Sequence, residues 1–311
     1  MLISHLKKII VLSVVLLCTA ITLLYQENLQ RSKSLQGNAL FKLSTGIEGI
    51  NKVEIQFANN QIALYQDEDM WRVQEADNYY ADFKMVHRLL EEMQSSKKGN
   101  EVQLSSDDSQ DWVTIKLYDK QDKLLESVML NNPSQTGSHH TKSQDNSIIN
   151  RTTWKINIPN DSISWVHKPL IDFDPIKVSS LIKNDHEIRR NDVGQIFIDI
   201  QNNLPYRDYK YLNIFDILTE LWSEQVLSSQ EYNQELYPYI QKLTITTFAG
   251  LITEIKIYTD FKEYWVQIDI KTNKLPTQQI KDYVENHKYL YTNWWFKLPP
   301  DKGRELFLFT L

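Results

Sequence analysis

Along most of the chain, hydrophobic and polar residues alternate with a period of two. Val53, Ile55 and Phe57 are separated by polar residues, Asn59-Asn60 supplies a turn, and Ile62 and Leu64 resume the pattern. Successive side chains on a strand point to opposite faces, so alternation across an Asn-rich turn predicts a β-hairpin. A third short strand is expected at Met70–Val73, after the acidic turn Asp67-Glu68-Asp69. The period then changes. After Asp82, which is placed to cap a helix, Val86, Leu89, Leu90 and Met93 fall on one helical face, and the polar break over 95–100 ends it. Further strands are expected at Trp112–Tyr118, Leu124–Leu130 and Trp154–Ile158. The Ser-, Asn- and Gln-rich stretch 131–147 predicts a loop. Ser164-Trp165 opens a short helical segment that Pro169 and Pro175 confine.

The second half runs in the same order. A strand at Gln195–Ile200 precedes a helix whose apolar stripe is Tyr211, Ile214, Phe215, Leu218, Leu221 and Trp222. Strands follow at Leu243–Phe248, Glu254–Tyr258 and Tyr264–Ile270, then a short helix at Gln278–Val284, a strand at Lys288–Tyr291 and a last turn opened by Trp294-Trp295. Three landmarks recur about 130 residues apart: Val86/Leu90 with Ile217/Leu221, Val113 with Leu243, and Trp165 with Trp294. That period far exceeds the 20–50 residues of solenoid repeats, so it predicts two domain-sized copies. Clusters of strands with one long helix each predict an α+β fold of mostly antiparallel strands.

One stretch obeys neither period. Ile9–Tyr25 carries no charge and follows Lys7-Lys8. It reaches the lower limit of about 17 residues for a helix spanning a bilayer. A cleaved signal peptide would end at a small-x-small site, which Cys18-Thr19-Ala20 imitates poorly, and lipoprotein cleavage before Cys18 would want a small residue where Leu17 stands. An uncleaved transmembrane anchor is therefore expected, with the short N-terminus in the cytoplasm and the bulk of the chain extracytoplasmic. The expected organisation is 1–28 N-terminus and anchor, 29–49 tether, 50–185 first module and 186–311 second module.

Composition narrows the function by exclusion. A net charge of −6 without a Lys/Arg stripe argues against nucleic acid as a partner. The single cysteine, Cys18, lies in the apolar stretch, so the rest of the chain can form neither a disulfide nor a thiolate metal site. Only 8 glycines occur, and there is no Gly-x-Gly-x-x-Gly, P-loop or Gly-x-Ser-x-Gly. No catalytic residue, cofactor or metal site is expected. His139-His140 reads as part of a solvated loop, His87 and Glu91 as an ordinary (i, i+4) contact and His167 as a packing residue. Asp107, Asp108 and Asp111 lack the ligand spacing and glycine of a calcium loop. Asp172 and Asp174 suit capping before Pro175 better than a glycosidase pair. Trp154, Trp165, Trp294 and Trp295 could form a ligand or partner surface, where such residues are enriched, or could serve the core.

Lys52-Val-Glu-Ile-Gln-Phe57, Ile62-Ala-Leu64, Trp71-Arg72-Val73 and Ala81-Asp82 ahead of Leu89-Leu90 together resemble the DUF4340 domain of bacterial membrane-anchored proteins. Trp165-Val-His-Lys-Pro-Leu170 with Asp172-Phe-Asp174 resembles a later segment of the same domain. The resemblance covers roughly residues 50–185, and its motifs are structural. It implies a non-enzymatic subunit of the cell envelope, held in the bacterial inner membrane, that serves as scaffold or accessory to an ABC transporter of the gliding-motility type. Its partners would then be permease or auxiliary subunits. An extracytoplasmic ligand or glycan binder that uses the aromatics near the junction of the modules stands as the alternative.

Overall fold

The computed structural model describes residues 39–43, 46–102, 112–131, 139–142, 148–166, 170–171, 174–206, 210–233 and 235–309. The expected anchor, most of the tether, Asp107, Asp108, Asp111, His167 and Asp172 lie outside them. No helix among the described residues is long and apolar enough to cross a membrane.

The fold is α+β. The first part of the chain runs through β1 (Lys52–Gln56), β2 (Gln61–Asp67), β3 (Met70–Val73), β4 (Tyr79–Tyr80), helix α1 (Phe83–Ser95), β5 (Lys98–Glu101), β6 (Trp112–Tyr118), β7 (Leu124–Asn131), β8 (His140–Lys142) and β9 (Ile149–Thr152). Its nine strands form one sheet in the order β4-β3-β2-β1-β6-β7-β8-β9-β5. The second part runs through β10 (Val178–Lys183), β11 (His186–Arg189), β12 (Ile198–Asp199), β13 (Leu204–Pro205), helix α2 (Lys210–Thr219), β14 (Gln225–Ser228), β15 (Tyr239–Thr247), β16 (Leu251–Thr259), β17 (Tyr264–Thr272), helix α3 (Gln278–His287), β18 (Trp294–Leu298) and helix α4 (Pro300–Leu308). Its sheet is ordered β13-β12-β11-β10-β15-β16-β17-β18-β14. Counted within each half, the two orders are the same permutation, and in both a helix joins the fourth strand to the fifth.

The registers show why. In the first sheet buried Ile55 faces buried Ile115, which faces Val128 on its other side. In the second, Leu181 faces Ile245, which faces Thr253. Both central strands alternate buried and half-buried residues, as strands covered on one face do. Helix α1 buries Val86, Leu89, Leu90 and Met93. The same i, i+3, i+4, i+7 spacing recurs as buried Ile214, Ile217, Leu218 and Leu221. Asp82 caps α1, accepting from Lys84 N at 2.8 Å and Met85 N at 3.3 Å.

Several expectations change. Trp165 lies in a 3-10 turn (Ser162–Trp165) after β9, whereas Trp294 opens β18, the counterpart of β9. The two tryptophans therefore do not occupy equivalent places. The hairpin β10–β11 and helix α4 form although neither carries a clean period in sequence. Lys288–Leu290 is a 3-10 turn rather than a strand, and Trp294–Leu298 is a strand rather than a turn. Part of the expected loop at 131–147 forms β8, where His139 and His140 are buried rather than solvated: Asn131 O lies 3.2 Å from His139 Nδ1, and Asn131 Oδ1 accepts from His140 N.

By compactness the chain divides into two units, Met1–Ala63 with Val86–Asn160, and Leu64–Met85 with Asp161–Leu311. The first holds the core around Val53, Ile55, Val113, Ile115, Leu117 and Leu130. It also includes Phe41 against Trp154, with ring centroids 6.0 Å apart. In the second, residues 64–85 pack onto the end of β18. Tyr79 is 1% exposed; its hydroxyl donates to Leu290 O at 2.8 Å, and its ring meets Trp294 edge-on at 4.9 Å.

Helix α4 docks through a glycine. A Cβ at Gly303 would fall within the Tyr264 side chain of β17, so the helix lies flush on that ring. Gly303→Ala must push the helix off the sheet. Overpacking of this kind costs about 1–3 kcal/mol, which urea denaturation of variant and wild type will measure.

Candidate functional site

The four tryptophans singled out by sequence do not share a surface. Trp154 is buried and its Nε1 donates to Ile156 O at 2.6 Å. Trp165 is buried too; its turn is capped by Asp161, which accepts from Ser164 N. Trp294 and Trp295 are neighbours on β18 and point to opposite faces, as the period of a strand requires. Trp294, half-buried, meets Tyr79. Trp295 is buried and stacks on Tyr232 at 3.6 Å and 5°.

Around Trp295 gathers an aromatic cluster of Tyr232, Tyr258 and Trp265, with Leu227 and Tyr237 packed against it. Tyr232 arrives on the connection between β14 and β15. Its hydroxyl is buried without a hydrogen-bond partner, and burial pushes its pKa well up. At the edge of the cluster Tyr237 donates to Glu263 Oε2 at 2.5 Å, and Lys297 pairs with Glu263 Oε1. Lys297 first, then Tyr237, holds the Glu263 carboxyl below its usual range. These contacts fill the cluster with its own side chains, so it is core rather than an open binding face.

An open feature among the described residues is a recess of about 400 Å³ in the second unit. Its apolar floor is Ala76, Ile163, Val226 and Leu227, and its rim carries Glu75, Asp77, Glu224 and Glu231 with no lysine, arginine or histidine. Four separate stretches meet there: the 3-10 turn at Gln74–Ala76 with Asp77, the turn at Ser162–Ile163, strand β14, and the bend at Glu231. Asp77, in the left-handed region at φ 55°, ties two of them together by accepting from Ser228 N at 2.5 Å. The carboxylates ring the recess without converging. Among the described residues no three His, Cys, Asp or Glu side chains are grouped to hold a metal ion. Such a site can attract a cation and cover an aliphatic stem. Its chain positions lie far apart and none carries a motif, so sequence reasoning had no signal for it.

Of the other residues weighed, His87 Nε2 lies 3.1 Å from Glu91 Oε1 as an exposed (i, i+4) contact, and Asp174 caps the turn Pro175–Lys177 through Ile176 N at 3.0 Å. Compared with protein-family models, with curated proteins and with solved structures, the chain matches none.

Among the described residues the most deeply buried lysine lies away from the recess. Lys183 of β10, 7% exposed, donates from Nζ to Phe307 O at 3.0 Å, and Gln241 Nε2 of β15 donates to the same carbonyl at 3.0 Å. Together they hold the C-terminal turn of α4, where a cation also opposes the negative end of the helix dipole. Burial lowers the Lys183 pKa from 10.5 to about 8. Below about pH 8 both folded and unfolded chains hold the proton, so the cost of burying the charge is fully present. Between about 8 and 10.5 only the unfolded chain holds it, so this group makes stability rise with pH. Lys183→Met leaves Phe307 O its bond from Gln241. The variant is expected to be more stable at pH 7 by about 1–2 kcal/mol and to lose the rise between pH 8 and 9.5, read from thermal melts across that range.

Proposed function

We propose that the protein is a non-catalytic scaffold or accessory subunit of the DUF4340 type. In this reading it is held at the bacterial inner membrane through Ile9–Tyr25 and works on the extracytoplasmic side within an ABC-transporter-like complex. The observation that carries this reading is the acidic recess of Glu75, Asp77, Glu224 and Glu231. Separated carboxylates over an aliphatic floor suit a lysine or arginine side chain of a partner protein, whose stem is covered while its head stays at the rim. The shared strand order of the two sheets supports the notion of a duplicated module. The glycan-binding alternative has less support, because Trp154, Trp165 and Trp295 are buried.

Glu224 and Glu231 are exposed, so reversing them leaves the core untouched. Affinity purification of the full chain from detergent-solubilised membranes is expected to recover ABC permease and ATPase subunits. Glu224→Lys with Glu231→Lys is expected to cut that recovery about tenfold. A wild-type chain that comes alone sinks the transporter reading. Full recovery with the variant removes the recess from it.

A further inference from the structure

The strongest contrast in the molecule lies between two hairpins that hold the same place in the two sheets. In the first, register pairs Tyr65, Arg72 and Tyr80 across β2–β3–β4, so these three share the outward face. That face is polar and occupied. Arg72 pairs with Asp67 at 2.8 Å and lies over the Tyr80 ring at 4.5 Å, and Tyr80 meets Tyr289 edge-on at 4.7 Å.

In the second sheet, register pairs Arg189, Ile198 and Pro205 across β11–β12–β13. Alternation adds Glu187, Ile196 and Ile200 to the same face. Half-buried Ile198 of the two-residue strand β12 is thus flanked by Ile196 just before the strand and Ile200 in the turn just after it, 64% and 46% exposed. On the opposite face Ile188 is fully buried and Phe197 is 2% exposed, while Leu204 on the outermost strand is 60% exposed. Outer strands ordinarily carry charge on such a face, and a terminal repeat ordinarily ends on a polar surface.

We infer that this face is a self-complementary contact at which a second copy of the chain docks, related by a two-fold axis. Two features select that occupant. Glu187 and Arg189 lie side by side at 2.6 Å along one margin of the isoleucines. A two-fold axis sets each margin against its own copy, so carboxylate can meet guanidinium in both directions, which is what an isologous interface requires. Pro205 on the outermost strand has no N–H to extend the ladder. Docking is therefore face to face, isoleucine against isoleucine, rather than edge to edge. The patch is small, which places the contact among weak, concentration-dependent ones.

The full chain in detergent, examined by sedimentation equilibrium up to about 100 µM, is expected to show a reversible monomer–dimer equilibrium. Ile196→Lys with Ile200→Lys is expected to leave a monomer. Both residues are exposed, so the circular dichroism should not change. The decisive arm uses charge. Glu187→Arg alone and Arg189→Glu alone should each weaken self-association about tenfold, and mixing the two variants should restore a heterodimer of about wild-type strength. An intramolecular ion pair alone predicts no such rescue. A wild-type monomer over the whole range overturns the inference. So does a dimer indifferent to both isoleucine and charge variants, and so does a monomer whose isoleucines instead hold a different protein.

Discussion

The two-residue period of the central strands is the constraint on which the rest of the structure depends. Ile115 and Ile245 sit at the middle of the two sheets, each faced by a buried aliphatic residue on one neighbour strand. A slip of one residue in either register would turn every buried side chain of that strand outward. With those registers set, the outer strands have defined places, and a single helix suffices to connect the fourth to the fifth. The equal strand orders show the same solution used twice, with Val113 and Leu243 as matching buried positions.

Elements whose burial is one-sided were readable from sequence. Strands β1, β6, β15, β16 and β17 alternate cleanly, and α1 repeats at helical spacing, so each appeared where expected. Elements that depend on distant partners were not. Strand β10 buries the adjacent residues Ser180 and Leu181, and its register shifts between Val178 and Ser180, so the alternation is broken. Strand β8 is three residues long, too short for a period of its own, and its start is fixed by Asn131 at the end of β7. The recess shows the limit most plainly. Glu75, Asp77, Glu224 and Glu231 are ordinary surface acids in sequence, and only the folding of residues 64–85 into the second unit brings them around one floor.

Tryptophan misled for a physical reason. A large amphipathic ring serves interfaces and cores alike, and composition cannot separate the two uses. The distinguishing facts are local partners. Trp154 satisfies its N–H within its own segment, and Trp295 is stacked by a tyrosine from the chain that follows β14. Both arrangements remove the ring from water. These buried rings help hold cores that contain no disulfide to assist them.

Where sequence and structure together say most is in the difference between like elements. Tyr65, Arg72 and Tyr80 on one hairpin and Arg189, Ile198 and Pro205 on its counterpart have the same topological address. Backbone geometry therefore cannot explain the exchange of polar and aromatic groups for aliphatic ones. Neither can the core, since Val73 and Phe197 are buried on the inner side of the respective hairpins. What remains is the surroundings of the outward face. The first is covered by Tyr289 of its own chain. The second carries exposed Ile196 and Ile200 on either side of its short strand, and grouped apolar side chains raise the free energy of a chain that stays alone in water.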